Sequence, residues 1–325
     1  MKRMRIRRRT VYNNNGRYNN IQRILVTQYK TPQPLYLPNK TITMPFALRF
    51  HCLLLLFYAA VPLSQAALVV TIGDSYAAGT GVHALREQYD DTYCYVEKDT
   101  IPGGKYASTR GMQHVVTACA GDTIDTTVAQ WNDLQLRYTD EVANQWEGSV
   151  IIVSTGGNSA LTRRGENFEE SLARVLRTRR FHEDELNQVA NLDAVQNELV
   201  DFYSQLAVDA GEATVRVMGY PLVFNSNRIK CFIPGIRVKE ADFFDSTVVE
   251  LNEVIVSAIE EVKTTFSNFD IRYVDVAPSY GSGACSPFKF RHIRDINVRA
   301  PVTSFHPTQR GYDRSYGAFL RTILT

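Results

Sequence analysis

The sequence predicts one α/β domain in residues 67–325, a three-layer sandwich with a central parallel sheet of about five strands. Short apolar, β-branched runs recur along the chain, and segments with helical apolar spacing lie between them. Strands that alternate with helices usually pair in parallel and are covered by helices on both faces. The five runs are residues 67–72, 114–118, 149–154, 214–218 and 271–276.

Two segments have the spacing of amphipathic helices. The apolar residues of the first recur mostly at intervals of three and four, and the second begins after Pro307, a residue suited to a first helical turn. The highly charged residues 163–191 form either an inserted helical segment beside the site or a plain surface excursion. The apolar positions are Val248, Leu251, Ile255, Ala258, Ile259 and Val262 in the first helix, and Tyr312, Tyr316, Phe319, Leu320 and Ile323 in the second.

The charge of the chain is unevenly distributed. Residues 1–66 carry 11 Lys and Arg and no Asp or Glu, although the whole chain has a formal charge of only +2. Residues 67–325 therefore hold 25 cations against 34 anions, a charge of −9. An acidic body of this kind argues against binding to nucleic acid.

The leader contains the pattern of a secretory signal peptide in residues 44–66. A basic residue is followed by an apolar run at residues 52–63, too short to span a bilayer, and then by Ser64-Gln65-Ala66. We expect cleavage near Ala66 and a secreted product. Residues 1–43, expected to lie outside the fold, reflect a start codon assigned too early, a long n-region, or the cytoplasmic end of an uncleaved membrane anchor.

Five cysteines occur, and Cys52 lies in the predicted signal. The remaining Cys94, Cys119, Cys231 and Cys285 form an even set in an exported body, which indicates two disulfides with three alternative connectivities. Four free buried thiols are the alternative. The sequence contains no Cys-x-x-Cys pair and no His-Glu-x-x-His motif, so it predicts neither a metal site nor a cofactor.

Polar residues follow three of the predicted strands, at the edge where open α/β sheets bind ligands. Ser75 follows the first strand and would lie at a helix N-terminus, where amide groups favour a developing negative charge. Gly121 and Asn158 follow the next two strands, and their amides could converge with that of Ser75 on one oxygen. Taken singly, Ser75 could be a helix N-cap, and Gly121 and Asn158 could be turn residues.

His306 lies on a predicted loop immediately before the last helix. A histidine held on a loop can meet a serine nucleophile and act as its general base. By itself His306 would be interpreted as a surface histidine. Of the other five histidines, one falls in the predicted signal and four do not precede a helix that begins with proline. Those five are His51, His83, His114, His182 and His292.

Together these residues resemble the four sequence blocks of the SGNH (GDSL-type) hydrolases. The blocks are Gly-Asp-Ser-x-x-x-Gly at residues 73–79, the strand-end Gly121, Gly-x-Asn at residues 156–158 and His-Pro-x-x-x-Gly at residues 306–311. The likeness covers nearly all of residues 67–325. It is closest to the disulfide-containing secreted lipases and esterases of actinobacterial type, and it implies a flavodoxin-like arrangement of the sheet.

The resemblance implies that Ser75 is the nucleophile, that His306 is its base, and that the Ser75 and Gly121 amides and the Asn158 side chain form an oxyanion hole. Two positions depart from the family pattern. Ser159 replaces an Asp that usually supports the third block, and Thr303 replaces the acid that lies three residues before the histidine. We therefore expect a main-chain carbonyl near Thr303 to orient His306, with Asp295 as the rival acid.

For the disulfides, we expect Cys94 to pair with Cys119 and Cys231 with Cys285. The activity implied is hydrolysis of a carboxylic ester, from a lipid to an acylated small molecule or sugar, without a cofactor and with transient contact with a membrane surface where the ester is a lipid. Two alternatives stay open: an acyltransferase that uses the same acyl-enzyme, and a non-catalytic extracellular binding protein on a decayed hydrolase fold.

Overall fold

The computed structural model describes the residues of two separate units, one within residues 1–63 and one within residues 64–325. The predicted signal at residues 44–66 and the charged segment 163–191 lie outside the described residues. The described ranges are 6–12, 18–24, 67–83, 94, 96–138, 146–161, 192–225, 231, 233, 236–297 and 303–324.

The first unit contains an antiparallel pair of strands, β1 (Ile6–Tyr12) and β2 (Tyr18–Ile24). Its register places Ile6 opposite Ile24 and Tyr12 opposite Tyr18. The sequence analysis predicted no strand here. A signal was present, because Asn15-Gly16 between two β-prone runs is typical of a hairpin turn.

The second unit is built on a five-stranded sheet in the order β4-β3-β5-β6-β7, with every adjacent pair parallel. All five predicted strands are present, which confirms the predicted fold class. The central strands β3 and β5 are completely buried, as continuous β-branched runs in a parallel sheet require. The strands are β3 (Leu68–Gly73), β4 (Gln113–Val116), β5 (Val150–Ser154), β6 (Thr214–Met218) and β7 (Ile271–Val274).

Helices pack against the sheet in two groups, which completes the three layers. The first group consists of α2 and α7, which contact each other and the strands. In the second group, α3 and α6 contact the strands, and α5 packs against both α3 and α6. Short 3₁₀ turns lie at Ala277–Ser279 and Phe288–Phe290. The helices are α1 (Ser75–Ala78), α2 (Pro102–Arg110), α3 (Ile124–Tyr138), α4 (Gly157–Leu161), α5 (Leu192–Asp209), α6 (Val238–Thr265) and α7 (Gln309–Ile323).

Both predicted amphipathic helices are present. All six predicted apolar positions of α6 are buried, although the helix begins ten residues earlier than the stripe that predicted it. In α7, Tyr312 and Phe319 are buried, but Tyr316, Leu320 and Ile323 are only partly covered. Within the described residues, no helix is long and apolar enough to cross a membrane.

Two disulfides crosslink the second unit, Cys94–Cys119 and Cys231–Cys285, which is the predicted pairing. The Cys94–Cys119 disulfide anchors the chain just after β4, two residues before Gly121. Beside it, the Ala120 N–H donates to the Cys94 carbonyl at 3.1 Å. The loop that carries Gly121 is therefore attached covalently to the segment that follows the first strand of the sheet.

Candidate active site

Three of the predicted site residues lie at one edge of the sheet, after neighbouring strands. Ser75 follows β3, and the strands on either side of it lead to Gly121 and Asn158. Because all these strands are parallel, their carboxyl ends meet at the same edge. The order β4-β3-β5 thus places the serine between the two candidate oxyanion donors.

The turn before Ser75 needs a glycine. Gly73 has φ +131°, and a Cβ added there would lie 1.9 Å from the Ser154 carbonyl oxygen. The Asp74 N–H donates to that same carbonyl at 2.8 Å, and its side chain caps α1 by accepting from the Tyr76 N–H at 2.9 Å. Gly73 thus lets the chain turn against β5, and Asp74 starts the helix whose first residue is Ser75.

Ser75 and His306 are hydrogen-bonded to each other. The serine Oγ lies 2.7 Å from the histidine Nε2, and the two residues are only 7% and 6% exposed. The Nδ1 atom lies 2.8 Å from the Ser304 carbonyl oxygen, which can only accept a hydrogen bond. Neutral His306 therefore carries its proton on Nδ1, and Nε2 is the atom that accepts from the serine hydroxyl.

The environment keeps His306 neutral. The pKa of His306 falls from 6.5 to about 4: burial lowers it most, the hydrogen bond to the Ser304 carbonyl raises it, and the positive charge of Arg294 lowers it. A histidine with this pKa is unprotonated over the whole neutral range. It is therefore available as a proton acceptor at neutral pH.

The loop that carries His306 is held on both sides. Phe305 has φ +61°, an uncommon left-handed conformation for a residue other than glycine. The Tyr76 hydroxyl donates to its carbonyl at 2.8 Å, its N–H donates to the Arg294 carbonyl at 3.1 Å, and the Arg294 N–H donates to the His306 carbonyl at 2.9 Å. These contacts fix the strained conformation, and the imidazole position with it.

Neither the rival acid Asp295 nor the Thr303 side chain is hydrogen-bonded to His306 in the part of the chain that the structure describes. Asp295 forms an ion pair with Arg291, four residues earlier in the same loop. The Thr303 hydroxyl accepts from the Asn297 side-chain amide at 2.9 Å. The group bonded to Nδ1 of His306 is the backbone carbonyl of Ser304, one residue beyond Thr303, in the stretch where a main-chain carbonyl was expected.

The candidate oxyanion side is formed by the loops after β4 and β5. Gly121 adopts φ +87°, which favours glycine, and a Cβ there would meet nothing within 4 Å. Asn158 is buried near the start of α4, and its side-chain Nδ2 donates to the Asp122 carbonyl at 2.8 Å. This bond ties the two loops together and fixes the orientation of the Asn158 amide.

No family model matches the chain, and no curated protein matches it in sequence. Solved structures do. Phospholipase A1 from Streptomyces albidoflavus NA297 superposes with a TM-score of 0.57 and 20% identity, over 80% of this chain and 98% of that enzyme. An extracellular lipase from Streptomyces rimosus gives 0.58 and 18%, over 79% of this chain and the whole lipase.

The chain has an SGNH hydrolase fold. The family resemblance predicted from the four sequence blocks is thereby confirmed at the level of the fold.

Three groups at this candidate site were not predicted from the sequence. They are the hydroxyl of Tyr76, the guanidinium of Arg294 and the hydroxyl of Tyr220. Tyr220 had a usable signal, because it lies two residues after β6, at the edge where only three of the five strand ends were interpreted as carrying site residues. The described residues contain no group of three or more His, Cys, Asp or Glu side chains arranged to hold a metal ion.

Proposed function

We propose that this protein is a serine ester hydrolase that acts through an acyl-enzyme on Ser75. The observation that carries the proposal is the aligned series of Ser75 hydroxyl, His306 ring and backbone carbonyl, with separations of 2.7 and 2.8 Å. A nucleophile within hydrogen-bonding distance of a base that a third group orients is the arrangement required for acyl transfer. It also supports an enzyme over a binding protein on a decayed fold.

In the proposed mechanism, Nε2 of His306 takes the Ser75 proton as Oγ attacks the ester carbonyl carbon. The tetrahedral oxyanion accepts from the Ser75 and Gly121 amides and the Asn158 side chain. His306 then gives its proton to the leaving alcohol, and a water molecule, deprotonated by the same nitrogen, releases the acid. The Ser304 carbonyl keeps the proton on Nδ1 throughout, although it offers the imidazolium less charge stabilisation than a carboxylate would.

For the substrate, we propose an ester of a lipid acyl chain. Two solved structures that share the fold, with TM-scores of 0.57 and 0.58, are a phospholipase A1 and an extracellular lipase, which supports this class. Two disulfides support an exported protein, because such crosslinks persist in oxidising compartments. We propose that residues 44–66 are its signal peptide and that residues 1–43 take no part in the fold, which N-terminal sequencing of the exported form tests.

The proposed function is tested with p-nitrophenyl esters of graded acyl length, assayed with the exported protein. A serine-directed phosphonate should stop hydrolysis and label the protein once. Preference for long acyl chains would support the lipid substrate, whereas preference for acetate would contradict it. A protein that folds yet neither hydrolyses any of these esters nor takes up the phosphonate would contradict the hydrolase itself.

The pH dependence of kcat/KM should report the lowered pKa of His306. Protonated His306 cannot accept the serine proton, so activity should fall on the acid side with a midpoint near the pKa of about 4, well below 6.5. Arg294→Gln removes a nearby positive charge and should move that midpoint to higher pH. Arg294→Lys, which keeps the charge, is the matched control, and an unmoved midpoint in Arg294→Gln would contradict the assignment.

Replacing Asp295 or Thr303 by alanine should leave kcat within about threefold of the wild type, since neither side chain is hydrogen-bonded to His306. Steady-state kinetics of both variants, corrected for the folded fraction, provide the measurement. Loss of a triad acid elsewhere lowers kcat by about 10⁴. A decrease of that size in Asp295→Ala, in a folded protein, would make Asp295 the acid and overturn the carbonyl-oriented dyad.

A further inference from the structure

We propose that Tyr220 is a positioning residue that holds the Asn158 donor in register with the Ser75 nucleophile. The proposal rests on the hydrolase function proposed above. The Tyr220 hydroxyl is hydrogen-bonded to neither Asn158 nor Ser75. It acts through Asp74 and Gly157, which immediately precede them in the sequence.

The Tyr220 hydroxyl bridges the two turns directly. It donates to Oδ2 of Asp74 at 2.5 Å and accepts from the Gly157 N–H at 3.0 Å. The hydroxyl end of the ring lies close to Gly157, where an added Cβ would lie 3.0 Å from a ring carbon. A single buried oxygen thus sets the separation between the turn after β3 and the turn after β5.

Tyr220 is itself firmly held. Its backbone N–H donates to Oδ1 of Asn252 at 2.8 Å, and Nδ2 of Asn252 donates back to its carbonyl at 2.9 Å, which anchors it to α6. Its ring also contacts Tyr76 edge to face, with centroids 5.2 Å apart. Because Tyr220 is only 4% exposed, its hydroxyl has little room to move. It therefore holds both turns in a fixed position relative to the core.

The chemistry of the bridge makes the hydroxyl hard to replace. Asp74 is completely enclosed, and burial raises the pKa of its carboxyl group to about 7, against the opposing effect of the hydrogen bond from Tyr220. Loss of the phenol oxygen would leave both a carboxylate oxygen and the Gly157 N–H without this partner inside the protein. The two turns could relax only by moving, and small misplacements of reacting groups lower turnover strongly.

The test is Tyr220→Phe, which keeps the ring and removes the bridging oxygen. We expect kcat to fall about tenfold while KM changes less than about twofold, because the effect is on the geometry of the transition state. In an Asn158→Ala background, the same substitution should lower kcat by less than about twofold more, since the donor that it positions is already absent. Phosphonate labelling of Ser75 should still go to completion.

Tyr280→Phe is the matched control, because Tyr280 is also buried and its hydroxyl bonds to Ser315 Oγ at 2.7 Å. This variant should lose stability comparably and keep kcat. If Tyr220→Phe does not fold, Asp74→Ala removes the acceptor of the bridge from the other end, together with the cap of α1, and the same cycle with Asn158→Ala applies. An unchanged kcat, or fully additive losses in the cycle, would overturn the proposal. Undiminished hydrolysis by Ser75→Ala would instead overturn the acyl-enzyme on Ser75, on which this proposal rests.

Discussion

Replacing Ser75 by alanine is expected to lower kcat for p-nitrophenyl esters by about 10⁴ to 10⁶, to the limit of detection, while the protein stays folded. Without Oγ no acyl-enzyme forms, and His306 has no hydroxyl to deprotonate. The serine side chain fills no part of the apolar core, so the variant should lose little stability. Kinetics and thermal unfolding of the same preparation separate the two effects.

Ser315→Ala is the matched control for this substitution. Ser315 is 7% exposed, like Ser75, but its hydroxyl is bonded to Tyr280 instead of a histidine. Loss of that buried hydrogen bond should cost about 1 kcal/mol of stability and leave turnover unchanged. Undiminished hydrolysis by Ser75→Ala would show that another residue is the nucleophile.

The fold could be predicted because its strands have recognisable apolar patterns in the sequence. A strand buried on both faces requires a continuous apolar run, and both β3 and β5 have one. The prediction was least accurate at the edges of the sheet, where β4 and β7 end two residues earlier than expected. An edge strand has a neighbour on one side only, so fewer ladder hydrogen bonds extend it.

The two central residues of the site could also be predicted, since Ser75 and His306 lie in recognisable local motifs. The group that orients the histidine could not be identified as closely. A backbone carbonyl is present at every position, so nothing in the sequence distinguishes Ser304 from its neighbours. Asp295 looked chemically suitable, but whether it reached His306 depended on its partner Arg291, which is a property of the folded loop.

The link between Asp74 and Tyr220 illustrates a further limit. The two residues are 146 positions apart, and each has an ordinary local role, one as a helix cap and the other as a residue after a strand. Only the strand order, with β5 between β3 and β6, brings them to the same edge of the sheet. The residue patterns predicted parallel strands, and only the family resemblance implied a flavodoxin-like order for them. Neither identified these two side chains as partners.

Asn158→Ala is expected to lower kcat by about 100- to 1,000-fold, the range measured when one oxyanion donor is removed from another serine hydrolase. The structure orients the amide through its bond to the Asp122 carbonyl, 2.8 Å away, so the donor needs little reorganisation as charge develops. Removing that bond should also cost about 1 kcal/mol of stability. Thermal unfolding must therefore accompany the kinetics.

Asn158→Asp separates the effect of losing the N–H donor from the effect of changing the size of the side chain. Aspartate has nearly the same size, but it has no N–H and places a negative charge where the oxyanion would form, so its kcat should fall at least as far as that of Asn158→Ala. Asn132→Ala is the control, because Asn132 is exposed on α3 and bonds only to the Gln205 side chain. A loss of less than about tenfold in both Asn158 variants, in folded protein, would mean that the oxyanion is stabilised mainly by the backbone amides of Ser75 and Gly121.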